Sequence, residues 1–507
     1  MKCKKFILSL LFFFLLFMVY ICFYHIEKID LNNIMSNKEE NDLFVVGISS
    51  KNNYGAFDND NGIYFFSDGF FDKNNIKIVS PYKTKYYINE LSDNEYEIII
   101  YCDKFYQKRL IKIVDMSILS INSYDISLFN NVTNRYDLIS SIFESNDDRK
   151  YSNINVEVMD SEYKSHSIYP NAIYSTGMMR LRGSTSLSFE KKSYKVELND
   201  KISLLGMNSD DDWILDALYT DKSKIRNKLS SDLWNLVNNN QKINNDINGE
   251  FVEVFIDNQY KGLYVLKEKV DKKITGVESD GLLAKSVAHA TDAVINEFIS
   301  GDALVVEFDE NTKLENYEIK YYTDVSIENF VNKLSNYYKY DDFNSINDSF
   351  DISNYINYHV FIIFINGVDN ITKNQYYSMS DNDSKILITP WDLDLTFGID
   401  YCYSCDLKSI DAFHNYYNLN WIDNNIVCNI DDETKVILKQ RYWELRESVI
   451  TMDTINGYLD SYKKLLVDSG AALRDSDRWY EYDIEFEIER IREWAEKRID
   501  FLDEYFK

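Results

Sequence analysis

Met179-Arg180-Leu181-Arg182-Gly183-Ser184-Thr185-Ser186 runs shortly into Phe189-Glu190-Lys191-Lys192-Ser193-Tyr194-Lys195-Val196-Glu197-Leu198. The first part reads as a strand over residues 178–183 that ends in Arg-Gly-Ser-Thr. The second reads as a strand over 194–198 that opens behind Lys-Lys. The loop between them offers backbone N–H groups and hydroxyls, with Arg and Lys charge on either side. That set suits an anionic triphosphate. It is neither a Walker A loop nor a G-x-G-x-x-G loop.

Working outward, residues 154–159 alternate as another strand. Residues 221–236 have helical periodicity, with Ile225, Leu229, Leu233 and Leu236 on one side and Asp221 or Ser223 to cap the start. Residues 251–256 and 263–266 predict a hairpin around a turn at 257–262. Strands, one helix, then a hairpin are the layout of a small nucleotide-binding lobe, and also of many α+β folds. Further on, residues 326–338 and 352–364 are apolar-periodic, and 386–389 read as a short buried strand. From Asp431 the pattern is helical, with Trp443, Leu445, Tyr458, Leu465, Trp494, Ile499 and Leu502 as expected core contacts. Upstream, short β-type runs at 44–48, 62–66, 86–88 and 96–101 alternate with turn chemistry. They predict a small β domain, read as a spacer or a carbohydrate-binding module.

Two acidic motifs carry chemistry. In Asp369-Asn370-Ile371-Thr372-Lys373-Asn374, an Asp and an Asn stand at the separation of H-R-D-x-x-x-x-N in protein kinases, with Gly367-Val368 in place of His-Arg. In Trp391-Asp392-Leu393-Asp394-Leu395-Thr396-Phe397-Gly398, two carboxylates two residues apart project the same way if the segment is extended. Together beside a core they repel unless a cation neutralises them, and a hard ion such as Mg²⁺ prefers such oxygens.

The ordered set resembles the CotH kinase family, typified by spore-coat protein H. Its members look like Arg-x-Arg-Gly-Asn-Ser-Ser, Lys-Lys-x-Tyr, Leu-Leu-Gly, Asp-Asp-Trp, Arg-Asn-Lys-Leu, Gly-x-Tyr running to a Glu, an Asp-rich loop, and Trp-Asp-x-Asp-x-x-x-Gly. The chain has Leu204-Leu205-Gly206, Asp211-Asp212-Trp213, Arg226-Asn227-Lys228-Leu229, Gly262-Leu263-Tyr264 and Glu268 in that order, with Ser184 and Thr185 where Asn and Ser are usual. The resemblance covers roughly 150–507. It implies an α+β, atypical bilobal protein-kinase-like fold with a helical C-terminal part. The N-lobe would span 150–275 and the C-lobe 276–507, preceded by the β-rich accessory domain at 40–145 and a membrane helix within 1–25. It further implies transfer of the ATP γ-phosphoryl group to Ser or Thr of a protein, with Mg²⁺ or Mn²⁺. Asp369 would orient the acceptor hydroxyl. Asn374, Asp392 and Asp394 would hold metal. Arg182, Ser184, Thr185 and Ser186 would cover the phosphates. Lys192, which shares strand parity with Tyr194 and Val196, would be the phosphate lysine, with Lys195 as fallback. Arg226 would brace the site, and Glu268 would meet adenine or pair with a lysine. Two other readings stay open: a non-catalytic coat scaffold or adhesin on this fold, and transfer of another group from ATP, such as AMP.

Composition narrows the partners. A net charge of −28, from 83 acidic against 55 basic residues, repels phosphate backbones and argues against nucleic acid. The 5 histidines show no helical ligand spacing, and of the 6 cysteines only Cys402 and Cys405 form a C-x-x-C, so a zinc knuckle is disfavoured. Lys2, Lys4 and Lys5 precede an uncharged run over 6–24, close to the roughly 20 residues that span a bilayer. No small-x-small cleavage site follows. The expectation is an uncleaved signal anchor with the N-terminus in the cytoplasm and the remainder extracytoplasmic.

Overall fold

In the computed structural model, which describes residues 35–36, 38–41, 45–125, 150–161, 171–183, 185–239, 246–286, 317–340, 342–367, 369–370, 373–399 and 432–507, the strands around the Arg182-Gly183 corner pair antiparallel. Leu181 lies opposite Tyr194, and Arg182 opposite Ser193. They belong to a closed barrel of β1 (Ile118–Ser123), β2 (Ser152–Met159), β3 (Ile173–Arg182), β4 (Ser193–Ser203), β5 (Ser209–Asp216), β6 (Gly249–Ile256) and β7 (Gln259–Glu268). The order is β1-β2-β3-β4-β5-β7-β6, and parallel pairing of β6 with β1 closes the ring. Strand alternation divides the residues. Tyr194, Val196 and Leu198 pack inside with Trp213, Leu215, Tyr264 and Leu266. Lys195, Ile214 and Lys267 share the outer face, where Lys195 lies opposite Ile214 and Ile214 opposite Lys267. The barrel takes β1 from upstream of residue 150.

The β6–β7 turn is tighter than the sequence suggests. Only Asp257 and Asn258 lie between the strands, with φ of +51° and +60°. Such a turn needs left-handed backbone at both central residues, which Asp and Asn tolerate. The helix expected from residue 221 begins at Arg226, as α1 (Arg226–Asn239). The Asp221 carboxylate accepts the Arg226 N–H at 2.9 Å.

Upstream lie two sheets. One has three strands (Gly47–Ser50, Asn53–Tyr54, Ile76–Val79). The other is built on Ile63–Ser67, Phe105–Val114, Glu95–Tyr101 and Lys85–Ser92. Their core continues onto the outer face of the barrel: Phe65 meets Phe255 with ring centroids 5.3 Å apart.

Downstream, β8 (Leu282–Ser286), β9 (Tyr317–Tyr321), β10 (Gln375–Met379) and β11 (Leu387–Pro390) form a sheet in the order β9-β8-β10-β11. Helices α2 (Asp324–Tyr340), α3 (Phe343–Ser349), α4 (Ile352–Ile365), α5 (Asp432–Arg446), α6 (Met452–Lys463), α7 (Ala471–Arg478) and α8 (Ile484–Tyr505) complete the described chain. Helix α4 is apolar nearly all round and buried from Asn354 to Ile365, as a central helix must be. Asn354 pins it to β11, donating to Ile388 O at 3.0 Å and accepting Ile388 N–H at 2.6 Å. Among the expected helical core contacts, Leu445, Trp494, Ile499 and Leu502 are buried. Trp443 is 36% exposed because it lies on the outer side of α5.

Helix α7 reaches back to the barrel. Asp475 accepts from Lys191 Nζ at 2.6 Å, Leu263 N at 2.8 Å and Tyr482 OH at 3.1 Å. Lys224 Nζ stands 3.6 Å from its other oxygen. Arg474 grips Glu253 of β6 with two bonds of 2.7 and 2.8 Å.

The fold is thus mixed α+β. No helix among the described residues is long and apolar enough to cross a membrane. The 6–24 run, Ser184, Cys402, Cys405 and Cys428 lie outside the described residues.

Candidate active site

Helix α4 ends where Asn366 turns left-handed (φ +51°). The chain then delivers Asp369, which is buried. Its carboxylate accepts from Asn374 Nδ2 at 2.7 Å and from Lys373 Nζ at 3.0 and 3.2 Å. Asn370 ties the two acidic motifs together, donating to Asn374 O at 3.2 Å and Trp391 O at 2.7 Å. Trp391 N–H returns to Asn374 O at 2.8 Å.

After β11 ends at Pro390 the chain is not extended, so the condition for Asp392 and Asp394 to project the same way is not met. Asp392, Phe397 and Gly398 have φ of +60°, +51° and +85°. A Cβ on Gly398 would lie 2.6 Å from the Trp494 ring, so packing as well as backbone requires glycine there. Burial alternates nonetheless: Trp391, Leu393, Leu395 and Phe397 are buried, Asp392 is exposed and Asp394 half-buried.

Cations surround the Trp391 ring. Lys267 Nζ lies 4.6 Å from its centroid, the Arg182 guanidinium 5.6 Å and Lys285 Nζ 6.0 Å. Lys267 pairs with Asp216 at 2.8 Å. Burial opposes the charge of Asp216, yet Lys267 and then Arg182 hold its carboxyl below the ordinary range. Burial lowers Lys285 to about 8, with Asp392 pulling it back up and Arg182 pushing it down. Burial, then the like charges of Asp392, Asp216, Asp221 and Asp369, drive Asp394 well above the carboxylate range. Among the described residues, Asp392, Asp394, Arg182 and Lys285 make no hydrogen bond or ion pair with a side chain.

The CotH kinase protein family model matches residues 179–502, a span that holds the Arg182 corner, both acidic motifs and helices α1 to α8 up to Leu502. The chain belongs to the CotH family. It is also similar to the inner spore coat protein H of Bacillus subtilis (strain 168), 26% identical over 223 residues, which cover 43% of this chain and 58% of that protein. The chain therefore spans little more than half the length of that CotH relative.

Within this CotH chain the motif residues part company. Arg182, Asp369, Asn374, Asp392 and Asp394 gather around the Trp391 loop. Gly183 (φ +108°) turns the backbone, and Thr185 opens a short 3-10 turn, Thr185–Ser188, that carries Ser186. Lys192 goes elsewhere. The parity it shares with Tyr194 and Val196 is that of the barrel interior, and its ammonium donates to Leu187 O at 2.7 Å and to Phe189 O. Lys195 is on the outer face but is engaged by Glu197 and, at 3.5 Å, by Asp212. Glu268 follows the inward parity of Tyr264 and Leu266. It accepts from Asn208 N at 2.7 Å and Asn248 Nδ2 at 3.0 Å and pairs with no lysine among the described residues. Arg226 bonds Asp221 at 2.6 Å. The sequence reading missed Lys267, Asp216, Lys285 and Asn227. Lys267 stands directly before the Glu268 that was singled out, with the opposite strand parity, which was the available signal.

No group of three or more His, Cys, Asp or Glu converges as a ready metal cage among the described residues. Mg²⁺ does not need one: it commonly takes one or two carboxylates together with substrate phosphates and water. Uncompensated repulsion at Asp394 fits a cation there, with Asp392 and Asp394 as the residues to hold it.

Proposed function

We propose that this chain is a metal-dependent protein kinase of the CotH type, moving the γ-phosphoryl group of ATP to a Ser or Thr hydroxyl on a protein. The observation that carries the reading is the meeting of Arg182, Lys267 and Lys285 with Asp392 and Asp394 around Trp391. Cations for a polyphosphate and carboxylates for its metal stand together, and catalysis of phosphoryl transfer is mostly such positioning and charge stabilisation. The barrel and the helical part then act as the two lobes of a kinase-like fold.

In this reading Arg182 and Lys267 from the barrel and Lys285 from the sheet bind the phosphates. Asp392 and Asp394 hold Mg²⁺ or Mn²⁺, which would neutralise charge developing on the phosphoryl oxygens. Asp369, fixed by Asn374 and Lys373, orients the acceptor and takes its proton. The acceptor oxygen bonds to the γ-phosphorus as the bond to the β,γ-bridging oxygen breaks, and ADP leaves. Asn374 serves first by holding Asp369. The spore-coat name of the relative favours a coat or extracytoplasmic setting, with residues 6–24 as the anchor.

The test is γ-labelled ATP with Mg²⁺ or Mn²⁺, the full chain and a generic protein acceptor, beside Asp369→Ala and Asp392→Ala. Label with the wild type alone supports the kinase. The spore-coat name of the relative favours a second reading, a nucleotide-binding coat scaffold. ATP binding with no transfer under either metal would select it.

A further inference from the structure

The residue between the two candidate metal aspartates is held at both its backbone groups, and both holds lead to α1. Leu393 N–H donates to Asn227 Oδ1 at 3.3 Å. Leu393 O accepts from Thr396 Oγ1 at 2.9 Å, and that hydroxyl meets Ser230 Oγ at 3.0 Å. Only the first hold continues to the cations. Asn227 Nδ2 donates to Asp216 Oδ2 at 2.8 Å, and the same oxygen takes Lys267 Nζ at 2.8 Å. The relay is Lys267, Asp216, Asn227, then the peptide between Asp392 and Asp394. It runs from β7 and β5 of the barrel, through the second residue of α1, to the loop after β11.

We infer that Asn227 is a positioning residue that sets the Asp392–Asp394 loop against the Asp216–Lys267 pair, so that phosphate-binding and metal-binding groups are held in mutual register. The inference rests on the phosphotransfer reading for what the register serves. An amide is the group the place requires. It must donate to a carboxylate on one side and accept a peptide N–H on the other, and a side-chain amide offers both in one short planar unit without a change of protonation. An aspartate there would keep the size and the acceptor. It would lose the donor and set a carboxylate against Asp216. The side chain is buried, so water does not replace the missing bond cheaply.

The experiment compares wild type, Asn227→Ala, Asn227→Asp and the exchange Asp216→Asn/Asn227→Asp in the full chain. It reads Mn²⁺-dependent ATP affinity by calorimetry, phosphoryl transfer and the thermal midpoint. If Asn227 only packs, the near-isosteric Asn227→Asp is milder than Asn227→Ala. If it relays, Asn227→Asp is the worse of the two, lowering Mn²⁺-dependent affinity at least about tenfold. The exchange then recovers most of that loss, because the amide at 216 donates to the carboxylate at 227 while Leu393 N–H keeps its acceptor. A milder Asn227→Asp, or no recovery in the exchange, overturns the inference. A wild type that binds Mn²⁺ and ATP without transfer overturns the kinase reading and leaves the relay judged by affinity. A wild type with no metal-dependent binding overturns both.

Discussion

Two groups of charges meet the same barrel and differ in one respect. At the α7 contact, Lys191, Lys224 and Asp475 all have side chains at 0% exposure. Both carboxylate oxygens of Asp475 are answered, by Lys191, Leu263 N–H, Tyr482 OH and Lys224. Lys224 is further held by Leu218 O at 3.1 Å and Tyr480 OH at 3.0 Å, under the rings of Tyr480 and Tyr482. Around Trp391, by contrast, Arg182, Lys285, Asp392 and Asp394 are gathered without side-chain pairing among the described residues. The first arrangement is complete and reads as a clamp between helix and barrel. The second has like charges near each other and cations over an aromatic ring, and it is the group that the proposed function assigns to ATP and metal. Perturbed carboxyls occur in both kinds of place, so the presence or absence of a partner separates structure from function here.

The largest effect should come from breaking the complete cluster. Asp475→Ala strands two buried ammonium groups and should destabilise the chain by about 3–5 kcal/mol in denaturant unfolding. A loss under about 1 kcal/mol would mean that α7 is not clamped as described. The open cluster should behave oppositely. Asp392→Asn, which keeps a residue tolerant of the left-handed backbone at φ +60°, should cut phosphoryl transfer by about 10²–10³-fold, as for a lost charge-stabilising group, while leaving the melting midpoint near wild type because the side chain is exposed. A parallel fall in stability would move Asp392 into the structural class. Between the lysines, Lys267→Met should weaken metal-dependent ATP binding by about tenfold, the scale of one charge-assisted contact. Lys192→Met, measured by the same titration, should stay within about twofold. Equal losses would return Lys192 to the site.

A third kind of carboxyl sharpens the contrast. Glu157 joins the β domain to the barrel, accepting Tyr174 OH at 2.7 Å and Tyr54 N–H at 3.1 Å. Burial raises its pKa from 4.5 to about 7, with Tyr174 and Tyr54 opposing. It is balanced by a proton rather than by a cation. A carboxyl that holds its proton more tightly when folded contributes most below its ordinary pKa, and that contribution is lost as pH rises through the folded value. Stability should therefore fall between about pH 4.5 and 7. Glu157→Gln should leave the unfolding midpoint at pH 5 unchanged and raise stability at pH 8 by about 1 kcal/mol. A pH-independent difference between the two proteins would remove Glu157 from the seam's energetics.

Much of the site was legible because its chemistry sits in local strings. Arg182 precedes a turn glycine, Asp369 and Asn374 share a short loop, and Asp392 and Asp394 alternate with buried apolar residues. Lys192 was misplaced for a physical reason. Period-2 alternation tells which residues share a strand face but not which face looks into a closed barrel. Tyr194 and Val196 line the interior, and Lys192, just before the strand, turns its ammonium back to Leu187 O and Phe189 O. Lys267 and Lys285 were illegible because a single lysine in an apolar strand has no motif. Only strand pairing and the packing of Trp391 bring them to Arg182. The turn at Asp257-Asn258 was overestimated in length because polar residues continue into β7, and polarity alone does not mark a strand end.

By itself the sequence determined the family and the mixed α+β class, and it marked the acidic residues of the candidate site. Those follow from short-range order: periodicity, turn residues and ordered motifs that survive without knowledge of distant contacts. The tertiary structure decided which lysines stand over Trp391, that Asp475 completes a buried cluster with Lys191 some 284 positions away, and that Asn227 stands between Asp216 and Leu393. Charges far apart in sequence interact only after folding has removed the water between them. Their pairing is therefore a property of barrel closure and helix docking rather than of any stretch of chain.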